Sequence, residues 1–393
     1  MIGDVLKAFV NRLGANSIAS AMAVLLLILM ARSSDPHTIG KFLWVIALTS
    51  VLPTAFDTAS LQFLSQKSRN RGIRGVHADQ WISSFQISRS LVILVITCLQ
   101  ALVFFGFGLL SFIELASLFF ASFASALGSQ LTNQLAQAQS RRIFIRYQIW
   151  SSAAAATLGV LVFISNGLTL TILLLVYGVS KTAPVIYLAL RVRAEGSRNK
   201  FLPMVGRRLS KLKTLLLTQL ATATNTYLDG ALVASFGFTK ASSYQLLQRP
   251  LLLLSLVNVT IGQEATRSAL RGERINQSKI LKFALVGSLA GGIFGFASHM
   301  LLPFLLGRDL GISATTAITL GVAYGLSSAT SLAGPHVLLA MKNRSLLISS
   351  VGQIFIIGFA FLSLQNLIGL TSLAVGVFLA KVFALLVQLR SVG

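Results

Sequence analysis

The chain has 393 residues, 54% of them hydrophobic and 11% charged, where an ordinary soluble chain is about a quarter charged. That composition excludes a soluble cytosolic enzyme, and at about 20 apolar residues per crossing the length holds a dozen membrane spans and no large soluble domain. The 33 Lys and Arg against 10 Asp and Glu give a net charge of +23, a balance that in a soluble chain would point to nucleic acid, so the placement of that charge decides its meaning.

In chain order, the first apolar stretch covers residues 13–31, behind Lys7 and Arg12. Its small-residue segment Ala19 to Ala23 resembles a signal-peptide cleavage region, but the segment lies inside the apolar run and Arg32 follows it, so an uncleaved first span is expected. The second span, 39–64, contains Pro53 and Asp57, and the third, 82–108, contains Arg89 and the single cysteine, Cys98. One cysteine forms no intrachain disulfide, and four scattered histidines show no metal-ligand spacing.

The fourth span, 113–138, carries Ser122, Ser125, Ser129, Asn133 and Gln137 at steps of three or four, with Gln130 and Gln134 adjoining. This places a polar stripe on one helix face. A fifth span covers 144–165, and the sixth, 168–192, carries Lys181 and Pro184. The seventh, 213–237, repeats the stripe with Thr218, Thr222, Asn225 and Asp229, and the eighth, 241–265, holds Arg249 beside Pro250. Such stripes either line water or form interhelical hydrogen bonds. In a wet cavity, long amides offer sugar hydroxyls both donors and acceptors.

The ninth span, 279–306, is interrupted by Gly287, Gly291, Gly292, Gly295 and Pro303, which permit bending, as does Pro335 in the tenth, 312–340. His299 and His336 are read as structural. The eleventh and twelfth spans cover 344–365 and 368–390, with Lys381 inside the last.

The loops test this count, because cytoplasmic loops of helical membrane proteins carry an excess of Lys and Arg. Alternate connections and both termini together hold 25 basic residues, and the opposite connections hold four, Arg32, Lys41, Lys240 and Arg308. A miscounted span would destroy the alternation, so twelve spans with both termini in the cytoplasm are expected. The charge is then an inside bias, reinforced by anionic lipid, and nucleic acid is not needed to explain it.

The basic stretch 193–212 divides an N-terminal six-span half, 1–192, from a C-terminal half, 213–393. Each half closes with a span bearing one lysine, Lys181 or Lys381, which points to an internal repeat. With six spans per half the repeats would be parallel, giving an all-α fold of two six-helix bundles related by a pseudo-two-fold axis along the membrane normal.

An ionisable group in hydrocarbon costs at least about 2.5–3.5 kcal/mol, so retained ones face water, a partner or a substrate. Asp57 with Arg89, and Asp229 with Arg249, lie at matched depths across short connections and are expected to pair, as structural bridges or as gates that open for an anion. Lys181 and Lys381 lack an acidic partner of equal depth and are expected to line a cavity or to snorkel. The surplus is cationic, so a shared cavity built from these groups would prefer an anion. Walker loops, zinc motifs, carboxylate pairs and nucleophile elbows are missing from the sequence, which disfavours an enzyme and favours a transporter without a cofactor.

Two segments carry a family resemblance. Gly40-Lys41-Phe42-Leu43-Trp44 through Asp57 to Phe63 resembles the second helix of bacterial polysaccharide flippases, and Asp229-Gly230-Ala231-Leu232-Val233 through Gly237 to Tyr244 and Arg249 resembles their seventh and eighth helices. The major facilitator alternative is weakened because Gln66-Lys67-Ser68-Arg69-Asn70-Arg71-Gly72 lacks the aspartate of that family's loop. The resemblance is to the flippases of the multidrug, oligosaccharidyl-lipid and polysaccharide (MOP) exporter superfamily, and it implies a MATE-like fold in a bacterial inner membrane. It also implies a polyprenyl-pyrophosphate-linked oligosaccharide as cargo, moved to the outer leaflet by alternating access, and glycosyltransferases or a polymerase of the same pathway as partners.

Under that reading Arg89, Lys181, Arg249 and Lys381 bind the pyrophosphate, Asn133, Gln137 and Asn225 bind sugar, and Asp57 and Asp229 compete for the cations when the site is empty. Coupling to H+ or Na+ stays open at this point. The competing readings are a drug or metabolite exporter of MATE-like or major-facilitator-like fold, and a non-transporting scaffold of a polysaccharide synthase complex.

Overall fold

A computed structural model describes residues 18–71, 77–106, 110–128, 141–165, 167–191, 202–270, 272–273, 275–340 and 343–392. Within these ranges the side chains of 60–91, 141–142, 144, 188–191 and 202–215, and of single positions between 252 and 270 and at 339 and 343, lie outside the description. Among the described residues twelve α-helices follow one another, each overlapping one expected span. They are α1 (Ile18–Arg32), α2 (Pro36–Arg71), α3 (His77–Gly106), α4 (Phe112–Leu127), α5 (Arg141–Ile164) and α6 (Leu170–Arg191). Then come α7 (Leu202–Leu232), α8 (Phe238–Leu270), α9 (Gln277–Leu306), α10 (Ala314–Leu339), α11 (Asn343–Ile368) and α12 (Thr371–Val392). Helix α7 begins inside the stretch read from sequence as a linker.

Local chemistry sets several of these boundaries. Asp35 caps α2, its carboxylate accepting the N–H groups of His37 (2.9 Å) and Thr38 (3.0 Å), with Pro36 as the first helical residue. Ser111 and Glu114 form a reciprocal capping box on α4. Asn276 caps α9, and Ser313 caps α10. Thr316 of α10 then shares a 2.8 Å hydroxyl contact with Thr371 at the start of α12. Pro53, Pro184, Pro250, Pro303 and Pro335 all lie within continuous helices.

The chain forms two compact units, residues 1–44 with 224–393, and residues 45–223. In the first unit a short 3-10 turn, Val233–Phe236, and Gly237 at φ 96° join α7 to α8. Only glycine adopts that backbone readily. Here the two segments that carry the family resemblance meet: Gly40 lies against the backbone of Phe238, and the Phe238 ring packs edge-on to His37 (5.2 Å) and Trp44 (5.7 Å). A side chain at position 40 would collide with the Phe238 carbonyl group.

The glycines of α9 have a role other than the bending expected of them. Gly287, Gly291 and Gly295, spaced by four, lie directly against Gly325, Gly321 and Ala317 of α10, backbone on backbone. Small residues at this spacing let helices approach closely where lipid supplies no hydrophobic drive between them. The rest of the α9 surface is apolar and exposed at Leu285, Leu289, Ile293, Phe296 and Phe304. Water would penalise such a face; lipid accepts it. Six stretches among the described residues are long and apolar enough to cross a membrane: 36–59, 145–164, 170–187, 277–306, 344–368 and 371–392. Helices α7, α8 and α10 carry more Ser, Thr, Asn and Gln, and two of these three build the site described next.

Candidate functional site

The end of α7 presents Asp229 to the first unit's interior, where it is 3% exposed. Tyr244 and Gln248, one turn apart on α8, reach it together: both donate to Oδ2, Tyr244 at 3.3 Å. The N–H of Gly230 donates to Oδ1 at 2.8 Å. Gln245, on the same side of α8, donates to the Gly230 carbonyl at 3.1 Å. The short turn after α7 brings these residues into register, because it folds α8 back beside the helix that carries Asp229.

The expected pairing of Asp229 with Arg249 is therefore corrected. Neutral donors take up the carboxylate: the Gly230 N–H, the Tyr244 hydroxyl and the Gln248 amide. Arg249 is partly buried, and its field acts on Tyr324 of α10. The physical reason is helical phase: Tyr244 and Gln248 are four apart and share the face that meets Asp229, whereas Arg249 is turned by about 100° from Gln248.

Lys381 is not among the donors that bond Asp229, which are Gly230, Tyr244 and Gln248.

Asn225 lies one turn before Asp229 on the same face of α7, 6% exposed. Its amide nitrogen donates to Gln353 Oε1 of α11 at 2.8 Å, and Gln353 in turn donates to the Ser349 carbonyl at 3.1 Å. Among the described residues no donor reaches the buried Asn225 Oδ1, nor Gln388 Oε1 further along α12. Helices α11 and α12 pack with Gly352 on Phe383 and Gly376 on Ile357 and Ala360, an antiparallel register that puts Gln353 level with Lys381. Asn225, Gln353 and Lys381 thus share one depth, with Asp229 a turn away.

In the second unit, Lys181 of α6 lies over the ring of Tyr177, one turn earlier, with Nζ 5.5 Å from the ring centre. The Tyr177 hydroxyl is 3.2 Å from Ser125 Oγ of α4. Gly178 against Phe120 and Ala121 allows that close α4–α6 contact. Ser122 Oγ, one turn before Ser125, is buried without a partner among the described residues. Among the described residues Lys181 has no carboxylate partner, and the aromatic face of Tyr177 lies beside its charge. Asp57 is 1% exposed on α2 and engaged in interactions of its own. The side chain of Arg89 and the positions Asn133 and Gln137 lie outside the described residues. Of the seventh-span stripe, Thr218, Asn225 and Asp229 are buried, whereas Thr222 is exposed and bonds back to the Thr218 carbonyl at 2.9 Å.

Sequence reasoning missed Tyr177, Gln245, Gln248, Gln353 and Tyr324 as site residues. The glutamines on α8 left a trace, since Tyr244, Gln245 and Gln248 occupy one face of an otherwise leucine-rich helix.

No family model matches the sequence, and no curated protein matches it. Solved structures do match. The fold is similar to that of a lipid II flippase, MurJ, in an inward closed conformation, with a TM-score of 0.70 at 14% identity over 98% of this chain and 87% of that one. It is similar also to a Vibrio cholerae MATE transporter, VcmN, with a TM-score of 0.58 at 13% identity over 98% of this chain and 96% of that one. A MATE protein in a bent conformation gives 0.59 at 13% identity, covering 98% and 95% of the two chains.

At such identities the likeness is one of fold, and the class it defines is an all-α, polytopic membrane protein of MATE-like architecture. The MATE-like fold that the sequence resemblance implies is the fold these solved structures share with the chain.

Proposed function

We propose that the protein is a transporter, not an enzyme, that moves a polyprenyl-pyrophosphate-linked oligosaccharide from the cytoplasmic to the outer leaflet of a bacterial inner membrane. It would work by alternating access between two six-helix halves, 1–192 and 213–393, joined by the basic stretch 193–212, with both termini in the cytoplasm. One observation carries the reading: Lys181 sits in a helical membrane fold with a tyrosine ring beneath it and no carboxylate partner among the described residues. A cation kept in that state is suited to an anionic group that arrives and leaves. Lys381 supports it, because neutral groups and not the ammonium bond Asp229, and among the described residues no acceptor holds the ammonium.

In this reading the pyrophosphate is held by Lys181 and Lys381, with Arg89 and Arg249 as further cations, and sugar hydroxyls meet Asn225 together with Asn133 and Gln137. An inside-negative potential favours export by about 2.3 kcal/mol per 100 mV for each net negative charge carried out. Coupling to a proton or sodium gradient would add to that term, and pathway glycosyltransferases or a polymerase would supply and consume the cargo.

The test is flipping in proteoliposomes. A fluorescent polyprenyl-pyrophosphate disaccharide, placed in one leaflet, should become accessible to an impermeant quencher faster with the protein than without. The Lys181→Ala/Lys381→Ala variant should lose the acceleration. Ionophores in the same vesicles report gradient coupling, and a cationic dye tests the drug-exporter alternative. Acceleration of dye movement with none for the pyrophosphate would overturn the proposal.

A further inference from the structure

In the topology proposed above, six connections lie at the outer end of the membrane, and they are unequal in charge. Three of them, 107–111, 165–169 and 369–370, contain no basic residue; the outward basic residues Arg32, Lys41, Lys240 and Arg308 all fall in or beside the other three. Contacts within the first unit tie those three together. The Phe238 ring at the start of α8 packs on His37 (5.2 Å) and Trp44 (5.7 Å), and its backbone lies against Gly40, which precedes Lys41. Lys240 follows two residues after Phe238. Arg308, in the α9–α10 connection, donates from Nη1 to the Ser34 carbonyl at 3.4 Å, two residues after Arg32.

We infer that this end of the first unit binds the phosphate headgroup of an anionic phospholipid, with Arg308 as its principal ligand. The inference rests on the proposed topology and not on the identity of the cargo. Cations are disfavoured on the outer side of a membrane protein and in the first turn of a helix, where Lys240 sits. Their gathering at one place needs an anion to offset it. The carboxylates of these connections are spent on backbone: Asp35 Oδ1 accepts the N–H groups of His37 and Thr38, and Asp309 Oδ1 accepts that of Gly311 at 3.1 Å.

Arg308 Nη2 is buried with no hydrogen-bond partner among the described residues, so half of the guanidinium fork is unused. A fork of this shape matches two phosphate oxygens. The remainder of the side chain is half exposed, which leaves phosphate an approach from the membrane surface. The last turns of α9, just before Arg308, expose Leu301, Phe304 and Leu305. A cation directly above an apolar helix surface suits a phosphate that carries acyl chains better than a soluble ion, because the chains cover the helix while the headgroup meets the arginine.

The experiment is native mass spectrometry of the purified full-length chain, titrated in detergent with dioleoyl phosphatidylglycerol or with dioleoyl phosphatidylcholine, whose phosphate charge is neutralised by its own choline. The wild type should take up phosphatidylglycerol more tightly. Arg308→Gln should weaken phosphatidylglycerol binding by about fivefold, the worth of one basic residue at a charged lipid surface, and leave phosphatidylcholine unchanged. Lys240→Gln should act in the same direction. Lys240 is exposed and makes no hydrogen bond or ion pair among the described residues, so this variant keeps the proposal testable if Arg308→Gln misfolds. Arg390→Gln, in the last turn of α12 at the opposite membrane end, is the control and should change little.

Equal phosphatidylglycerol affinity in the wild type, Arg308→Gln and Lys240→Gln would overturn the site, as would an equal loss in Arg390→Gln. Displacement of the lipid by farnesyl pyrophosphate from the wild type but not from Arg308→Gln would assign the patch to an isoprenoid pyrophosphate and overturn the phospholipid. None of these results bears on flipping at Lys181, which the vesicle assay reads separately.

Discussion

Replacing Gly321 by alanine puts one methyl group into the seam between α9 and α10. Its Cβ would fall against the carbonyl group of Gly291, 2.9 Å from the carbonyl carbon and 3.0 Å from the Gly295 Cα. Carbon atoms pack at about 3.5–4.0 Å, so the helices must separate by about 0.5–1 Å locally, and a gap of that size forfeits a quarter to a half of each dispersion contact along the seam. The adjoining contacts, Gly325 on Gly287 and Ala317 on Gly295, would loosen with it. Overpacking of this kind costs about 1–3 kcal/mol, offset by about 0.5–1 kcal/mol because alanine loses less conformational freedom than glycine on entering a helix, which leaves a net loss of about 0–2.5 kcal/mol. Gly334 lies in the same helix with nothing within 4 Å of a Cβ added to it, so Gly334→Ala is the matched control and should be neutral or slightly stabilising. Unfolding in mixed micelles with increasing dodecyl sulfate, followed by tryptophan fluorescence, compares the two. Equal midpoints for Gly321→Ala and Gly334→Ala would refute the seam as a close backbone contact.

Gly40→Leu should be more damaging than Gly321→Ala, because its side chain collides with the Phe238 backbone rather than sliding past a small residue; a folded, correctly eluting variant on size exclusion would contradict that packing. Asp35→Ala should cost about 1 kcal/mol through loss of the α2 cap. The Asp35 carboxyl is held below its ordinary value chiefly by the hydrogen bond from the Thr38 side chain. A depressed carboxylate stabilises above its unfolded pKa, and that contribution disappears as pH falls through the folded value. The Asp35→Ala difference should therefore be full at pH 7 and vanish in strong acid, as read from micelle unfolding at several pH values. Tyr177→Phe keeps the ring under Lys181 and removes only the contact with Ser125, so pyrophosphate binding should survive it; Tyr177→Ala removes the ring and should weaken binding several-fold, by about 1 kcal/mol.

What the sequence made legible was what depends on period and sign. Apolar runs of about twenty residues located each helix, because hydrocarbon leaves backbone groups no partner but the helix itself, although α7 starts at Leu202, well before its apolar run. Capping residues such as Asp35, Ser111 and Ser313 account for several helix starts. The glycines of α9 were visible but misread. Their spacing of four is the mark of a packed seam only once a second helix with small residues at the same spacing, Ala317, Gly321 and Gly325, is known to face them. Charge pairing was misread for a related reason. Equal distance from a loop fixes depth, but direction around the helix decides contact, and one residue of phase separates Gln248 from Arg249.

The same distinction explains why two lysines that look like copies of one another differ in setting. Sequence compares them by distance from the end of each half, and on that measure Lys181 and Lys381 match. Their surroundings differ all the same: Tyr177 of its own helix, held by Ser125 of α4, lies beside Lys181, and Gln353 of α11 is level with Lys381. A lysine balanced by an aromatic ring keeps its charge on offer, since the ring quadrupole attracts the cation without neutralising it. Lys181→Arg, which keeps the charge beside the ring, should therefore preserve pyrophosphate binding within a few-fold, whereas Lys181→Gln should lose most of it. Equal binding by the two variants, with the fold intact by size exclusion, would show that the charge at position 181 is not what holds the anion.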